Sequence, residues 1–231
     1  RFRSDPIYVK GMGVAMDAGV LPFGDKAGVI ALIHEMGKGT PLGRILGAGA
    51  AFTAKAYGNP RSPTVKNQAM PAYEPRAIKG IGVTYATSTM GADHTSGYTI
   101  APEMLAVGGK SDPLAAEKAK ATLSQAFQKT TALIDSSGHC LFIAFAILDI
   151  PSGFQGMVDE INGVLGTSWT GDDAVAMGTE VIRKERAFNE GAGFTKADDR
   201  LPEFMKYEKL PPHNVVADIP DEVLDSVYGD L

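Results

Sequence analysis

Residues 111–148, SDPLAAEKAKATLSQAFQKTTALIDSSGHCLFIAFAIL, hold two helical signals separated by one turn. Ser111-Asp112-Pro113 opens the first, and Leu123, Phe127, Thr130 and Ile134 recur at the spacing of one helix face. This predicts the longest helix of the chain, ending near Asp135 with Gly138 as its stop. Leu141 to Leu148 is apolar all round, which fits a buried helix or a core strand; its Phe/Ala/Leu mixture favours helix. The longest stretch without a polar residue, Cys140 to Leu148, is far below the roughly 18 residues that cross a bilayer. No membrane span is expected.

Helical signals continue on both sides. Asp25 can cap a helix from Lys26 that carries Val29, Ile30, Ile33 and Met36 on one face, with Gly37 at its C-terminal cap. Thr40-Pro41 gives a second N-terminus for a helix expected to run to Tyr57 and stop at Gly58. Gly43, Gly47 and Gly49 weaken that helix by up to ~1 kcal/mol each, and small residues there suggest close packing. The pair reads as a helical hairpin. Pro60, Pro63, Pro71 and Pro75 then interrupt a polar stretch, which places a boundary between residues 1–63 and 64–231. Downstream, Thr170 can cap Gly171 to Asn189, with Ala174, Met177, Val181 and Phe188 as its stripe. Pro202, Pro211, Pro212 and Pro220 break the remainder into short pieces. Alternating strands are scarce, so the expected fold is mainly α.

Composition narrows the function. The formal charge of −5 argues against a general nucleic-acid binder, which would want a basic face. A single cysteine excludes an internal disulfide framework and points to a reducing, cytoplasmic compartment. Because the chain opens on Arg1 without a signal segment, it is expected to be a fragment or a processed product.

Among the four histidines, His34 falls inside an amphipathic helix and His213 follows Pro211-Pro212 as a surface loop; neither is a candidate. His94 lies in Thr87-Ser-Thr-Met-Gly-Ala-Asp-His-Thr-Ser-Gly97, where glycine and small hydroxyl residues let backbone approach a ligand. An imidazole there can move protons near neutral pH. The alternative is a turn in which Asp93 bonds its own backbone and His94 is exposed. Cys140, in Asp135-Ser-Ser-Gly-His-Cys140, follows a glycine turn and precedes the apolar helix. It can be a nucleophile, a cluster ligand or a buried small hydrophobe.

These two segments resemble the aldehyde ferredoxin oxidoreductases. The resemblance rests on Pro71-Ala-Tyr-Glu-Pro-Arg-Ala-Ile-Lys-Gly-Ile-Gly-Val-Thr-Tyr-Ala-Thr-Ser88, Gly91-Ala-Asp-His94, Gly97-Tyr-Thr-Ile100 and Asp135-x-x-Gly-x-Cys140. Gly13-Val-Ala-Met-Asp-Ala-Gly19, Phe23-Gly-Asp25, Arg186-Ala-Phe-Asn189 and Gly193-Phe-Thr-x-x-Asp-Asp199 extend it. The resemblance implies helical domains 2 and 3 of that family: residues 1–63 as part of domain 2, and 64–231 as domain 3. In the complete enzyme these domains close over a cofactor carried by an N-terminal β-rich domain absent from this chain. The implied reaction oxidises an aldehyde to a carboxylic acid on a tungstopterin or molybdopterin. Electrons leave through a [4Fe-4S] cluster to ferredoxin.

By motif, Cys140 is then the fourth cluster ligand, and Asp135 binds a pterin whose pocket the backbone of Gly138 and His139 lines. His94 acts beside the metal as hydrogen-bond partner and proton carrier. His139 stands where an aliphatic residue is commoner in the family, and the first ten residues do not match the expected upstream segment. One cysteine cannot retain a four-iron cluster, so the isolated chain is expected to be inactive and without cofactor. Two other readings remain open: an aromatic acyl-thioester reductase of the same superfamily, and a cofactor-free helical interaction module.

Overall fold

The computed structural model describes residues 24–229. The string at residues 13–19 and the opening ten residues lie outside them. The fold is mainly α: among the described residues the only strands are two of two residues each.

The first helix, α1 (Lys26–Lys38), is capped by Asp25, whose side chain accepts from the Gly28 N–H at 3.0 Å. It ends on Gly39, in the left-handed region at φ 65°, rather than at Gly37. Thr40 then caps α2 (Pro41–Gly47) by accepting from the Gly43 N–H. The helix expected to reach Tyr57 is interrupted: Ala48 and Gly49 separate α2 from α3 (Ala50–Ala56), with Gly49 at φ 92°. Gly43 is there for contact, since a Cβ on it would fall 1.9 Å from the Glu35 carbonyl oxygen. The hairpin therefore closes backbone to backbone, with Leu32 buried. Val29, Ile30, Ile33 and Met36, expected as the packed face, are exposed.

Within the proline-rich stretch, β1 (Thr64–Val65) pairs antiparallel with β2 (Gln68–Ala69), Val65 opposite Gln68. Lys66 and Asn67 supply the two positive-φ positions that such a tight turn needs. Next comes α4 (Lys79–Thr87), every residue of which is buried. It has no side-chain cap of its own. Glu103, 23 residues later, supplies the missing acceptor: its Oε1 takes the Gly80 N–H at 2.8 Å, and Lys120 Nζ lies 2.5 Å from the same oxygen. A carboxylate at that end also opposes the helix dipole favourably.

α4 packs on α5 (Lys118–Ser136). This helix begins five residues after Ser111-Asp112-Pro113, because that triplet is used otherwise: Ser111 Oγ and the Asp112 carbonyl receive Lys120 Nζ. At 19 residues α5 is shorter than α8 (Gly171–Gly191), with 21, so among the described residues the longest helix lies elsewhere than expected. Its buried face is largely polar, comprising Lys120, Ser124, Gln128 and Thr131 together with Ala121, Leu133 and Ile134. Gln128 donates to Ser124 and Thr87, and Tyr228 donates to Gln128 Oε1.

After α5, a single 3₁₀ turn (Leu141–Ile143) leads into α6 (Ala144–Asp149), followed by α7 (Pro151–Leu165). Helix was the right reading for this apolar run, but burial was not: Phe142 is 81% exposed, and among its described side chains only Ile147 is buried. α8 opens with a capping box in which Thr170 and Asp173 bond each other's backbone. Its buried stripe is Ala174, Gly178 and Ile182, while Phe188 points to solvent. Gly178 has no room for a Cβ, which would sit 2.1 Å from the Lys129 carbonyl oxygen, so α5 and α8 touch there. Short helices α9 (Phe204–Tyr207) and α10 (Asp221–Asp225) return the chain to α4.

Two apolar clusters result. One surrounds α4 with Ile81, Val83, Tyr85, Phe204, Ile219 and Val227; the other joins α5 to α8 through Leu133, Ile134, Val158 and Ala174. No described helix is long and apolar enough to cross a membrane.

Candidate functional site

Beside the junction of these clusters is a cavity of about 370 Å³. Phe127, Thr130, Thr131 and Ile134 of α5 form one wall. Cys140, Leu141, Phe142 and Phe145 form another, and Tyr73, His94, Thr95 and Tyr98 a third. Phe127, Thr130 and Ile134 of α5, expected on one helix face, thus line this space.

The His94 segment is held in place from below. Asp93 accepts from the Thr95 N–H (3.1 Å), Thr95 Oγ1 (2.6 Å) and the Ser96 N–H (3.1 Å), folding the chain into a 3₁₀ turn over Thr95–Gly97. A relay of hydroxyls anchors the far end: Gln128 donates to Ser124, Ser124 pairs with Thr84 at 2.7 Å, and Thr84 donates to the Gly97 carbonyl at 3.0 Å. Only glycine fits at 97, where a Cβ would meet Gln128 Cγ at 2.8 Å. The turn that opposed a functional reading of this segment is therefore present, yet it leaves His94 in the cavity wall. His94 Nδ1 is buried without a hydrogen-bond partner, 3.7 Å from Asp93 Oδ1. Asp93 spends its carboxylate on the turn.

The imidazole sits among aromatic rings. Its centroid lies 5.3 Å from Tyr73 and 5.8 Å from Tyr98, whose hydroxyls are 2.7 Å apart. Burial, with the bond to Tyr73, pushes the Tyr98 phenol up to about 12, so it keeps its proton at neutral pH. Tyr98 also meets Phe145 edge to face at 6.0 Å, tying this loop to the segment after Cys140. Spacing gave no signal for Tyr73, Tyr98 or Phe145 as site residues; the fold brings them together.

Cys140 is exposed, which overturns the buried-hydrophobe alternative. Its carbonyl accepts from the Ile143 N–H at 3.0 Å, so it stands at the N-terminal cap of the 3₁₀ turn. His94 and Cys140 share the cavity. Asp135, Gly138 and His139 do not line it; they occupy the turn that leads to Cys140. Asp135 is exposed at the end of α5, its carboxyl raised above the ordinary value by partial burial and by the charges of Asp93 and Glu185. Gly138, at φ 79°, reverses the chain, and the Gly138 and His139 N–H groups bond back to the Asp135 and Ile134 carbonyls. The His139 ring lies between Ser137 Oγ (2.7 Å from Nδ1) and Glu160 Oε2 (3.0 Å from Nε2). His34 and His213 are exposed on α1 and on a loop, distant from these elements in the chain.

Among the described residues no three His, Cys, Asp or Glu side chains are grouped to hold a metal ion. Together these features define a helical module with a lone accessible thiol and an imidazole whose Nδ1 lacks a hydrogen bond on one cavity.

A family model for aldehyde ferredoxin oxidoreductase, domains 2 and 3, matches residues 7–230, and the chain belongs to that family. It is 38% identical over 181 residues to a tungsten-containing aldehyde ferredoxin oxidoreductase of Pyrococcus furiosus, covering 78% of this chain and 29% of the relative. Proteins of the same description match from Thermococcus kodakarensis (36% over 172 residues, 74% of this chain, 28% of the relative) and Pyrococcus abyssi (35% over 181 residues, 78% and 29%). The chain thus spans less than a third of the length of these relatives.

Proposed function

We propose that this chain is the helical, cofactor-facing part of an enzyme that oxidises aldehydes to carboxylic acids with ferredoxin as acceptor, in the cytoplasm. Residues 1–63 would belong to its second domain and 64–231 to its third. The observation that carries the reading is the placement of the His94 imidazole and the accessible Cys140 thiol on the walls of one cavity. A single thiol fits one corner of a cluster whose other ligands come from elsewhere, since four are the usual requirement.

When bound, a tungstopterin with a [4Fe-4S] cluster supplies the two-electron oxidation and the one-electron exits. This chain's residues do the rest. Cys140 would ligate the cluster through Sγ. Asp135, exposed at the head of the turn, would accept from pterin N–H donors, while Gly138 and His139 give the backbone its close approach. Addition of water to an aldehyde and loss of two electrons releases two protons, and His94 would hold one on its imidazole before passing it to solvent. The apolar walls from Phe127, Ile134 and Phe145 would exclude bulk water around the reacting carbon.

The test uses the full-length polypeptide. Wild-type protein should contain tungsten or molybdenum and four irons and oxidise aldehydes. Cys140→Ala should lose the iron and its visible absorption. His94→Ala should keep the metals and lose on the order of 10²-fold in turnover, as for a missing general acid–base. Protein that stays colourless with or without Cys140 would mark an inert interaction module instead, and unchanged turnover would remove His94 from the reaction.

A further inference from the structure

A second, smaller cavity of about 60 Å³ is lined by the β1–β2 turn, the end of α8 and the segment after it, and it shares no residue with the cavity of His94 and Cys140. Two cations meet over one carboxylate there. Asp199, itself buried, takes Lys66 Nζ on Oδ1 at 2.6 Å and Arg186 Nη1 on Oδ2 at 3.3 Å. Lys196 adds a third positive charge to the lining and the exposed Glu190 a second negative one, so one positive charge is left over. The neighbouring Asp198 spends its carboxylate on capping Thr195. Donors are in excess as well. Lys66 gives one of its three hydrogens to Asp199 and one to the Ala86 carbonyl at 2.8 Å; the third has no acceptor among the described residues, although the side chain is only 5% exposed. Arg186 lays its face over the Tyr228 ring at 4.4 Å, and of its N–H groups only Nη1 meets an acceptor among the described residues.

We infer that this cavity binds a small tetrahedral oxyanion of the phosphate type, with Lys66, Arg186 and Lys196 as its donors. Such an ion balances the surplus charge and takes the unspent hydrogens of Lys66 and Arg186. The present neighbours do not suffice: burial lowers the Lys66 ammonium below its ordinary value in spite of the bond to Asp199. The turn does not ask for lysine either. At φ 48° position 66 lies in the left-handed region, where asparagine or glycine is the usual choice, so the lysine is there for its charge. The space equals that of about two waters at roughly 30 Å³ each, enough for one small ion and too little for the body of a phosphate ester. No step of aldehyde oxidation depends on this site.

Calorimetric titration of the full-length protein with inorganic phosphate at constant ionic strength tests it, with chloride as the control ion. Wild type should take up one phosphate and show no comparable response to chloride. Lys66→Asn, whose new side chain tolerates the left-handed turn, should weaken phosphate at least about tenfold, the worth of one charge-assisted hydrogen bond. Because that change also takes a buried partner from Asp199, two exposed substitutions stand beside it. Lys196→Gln should weaken binding about threefold and Glu190→Gln should tighten it about twofold, each in the direction set by the charge removed. No phosphate uptake by the wild type would overturn the inference. So would an equal response to chloride, unchanged affinity in a folded Lys66→Asn protein, or shifts in Lys196→Gln and Glu190→Gln that do not follow the sign of the charge.

Discussion

Helix α4 (Lys79–Thr87) and the segment Leu141–Asp149 invert what their compositions suggest. The first contains lysine, two threonines and two glycines, yet every residue is buried; the second is nearly all apolar, yet much of it is open. The difference is the supply of partners. On α4 the polar groups find them: Lys79 reaches Asp218 and the Val216 carbonyl, the Gly80 N–H reaches Glu103, and Thr84 and Thr87 join the Ser124–Gln128 relay. Its glycines admit neighbours, since a Cβ at Gly82 would press on Ile219 Cδ1 at 3.0 Å and on Pro75. The later segment packs on α7 and the end of α5, and its remaining side becomes a cavity wall. Satisfied polarity can be buried; an apolar surface without a second neighbour stays open.

The sharpest way to break this contrast is Lys120→Ala. It strips the cation from Glu103, a carboxylate with no side-chain exposure that keeps only the Gly80 N–H and whose Oε2 already has no hydrogen bond. A loss of about 3–5 kcal/mol in urea unfolding is expected, as for other broken buried pairs. Thr84→Val should cost less, about 1–3 kcal/mol, by leaving Ser124 and the Gly97 carbonyl short of a partner. It should also loosen the turn under His94, visible as faster amide exchange at Thr95–Gly97.

Asp135→Asn sharpens the comparison on the open side. Because the folded state raises this carboxyl, the native protein holds its proton more tightly than the unfolded chain, and the charged form disfavours folding as pH rises above 3.8. The variant should melt slightly higher than wild type at pH 7, and the gain should vanish below the ordinary carboxylate value. Smallest of all, Phe142→Ala should change stability by no more than about 0.5 kcal/mol, because the ring it removes is 81% exposed. A large loss there would mean that the cavity wall is core.

Three helix N-termini were legible in local signals, whereas Lys79–Thr87 and Pro151–Leu165 carried no helix signal that was read. Asp25, Thr40 and Thr170 cap helices where their side chains predicted, and the glycine at 138 reverses the chain as expected. What misled was periodicity read as burial. Val29, Ile30, Ile33, Met36 and Phe188 repeat at helical spacing but face outward, and α5 turns its polar stripe inward. Ser111-Asp112-Pro113 looked like a cap but serves Lys120, a contact no local rule encodes. His94 and Cys140 were visible as chemistry-bearing types in glycine-rich surroundings; Tyr73 and Tyr98 were not, since tyrosines 25 residues apart become a pair only when α4 folds the chain back between them.

By itself the sequence determined that the fold is mainly α, where several helices begin, and the family to which the chain belongs, because caps, proline positions and motif strings act over a few residues. The tertiary structure alone decided which face of each helix is buried and which side chains share the cavity. Burial depends on whether a neighbour can satisfy a group or cover it, and those neighbours are distant in the chain.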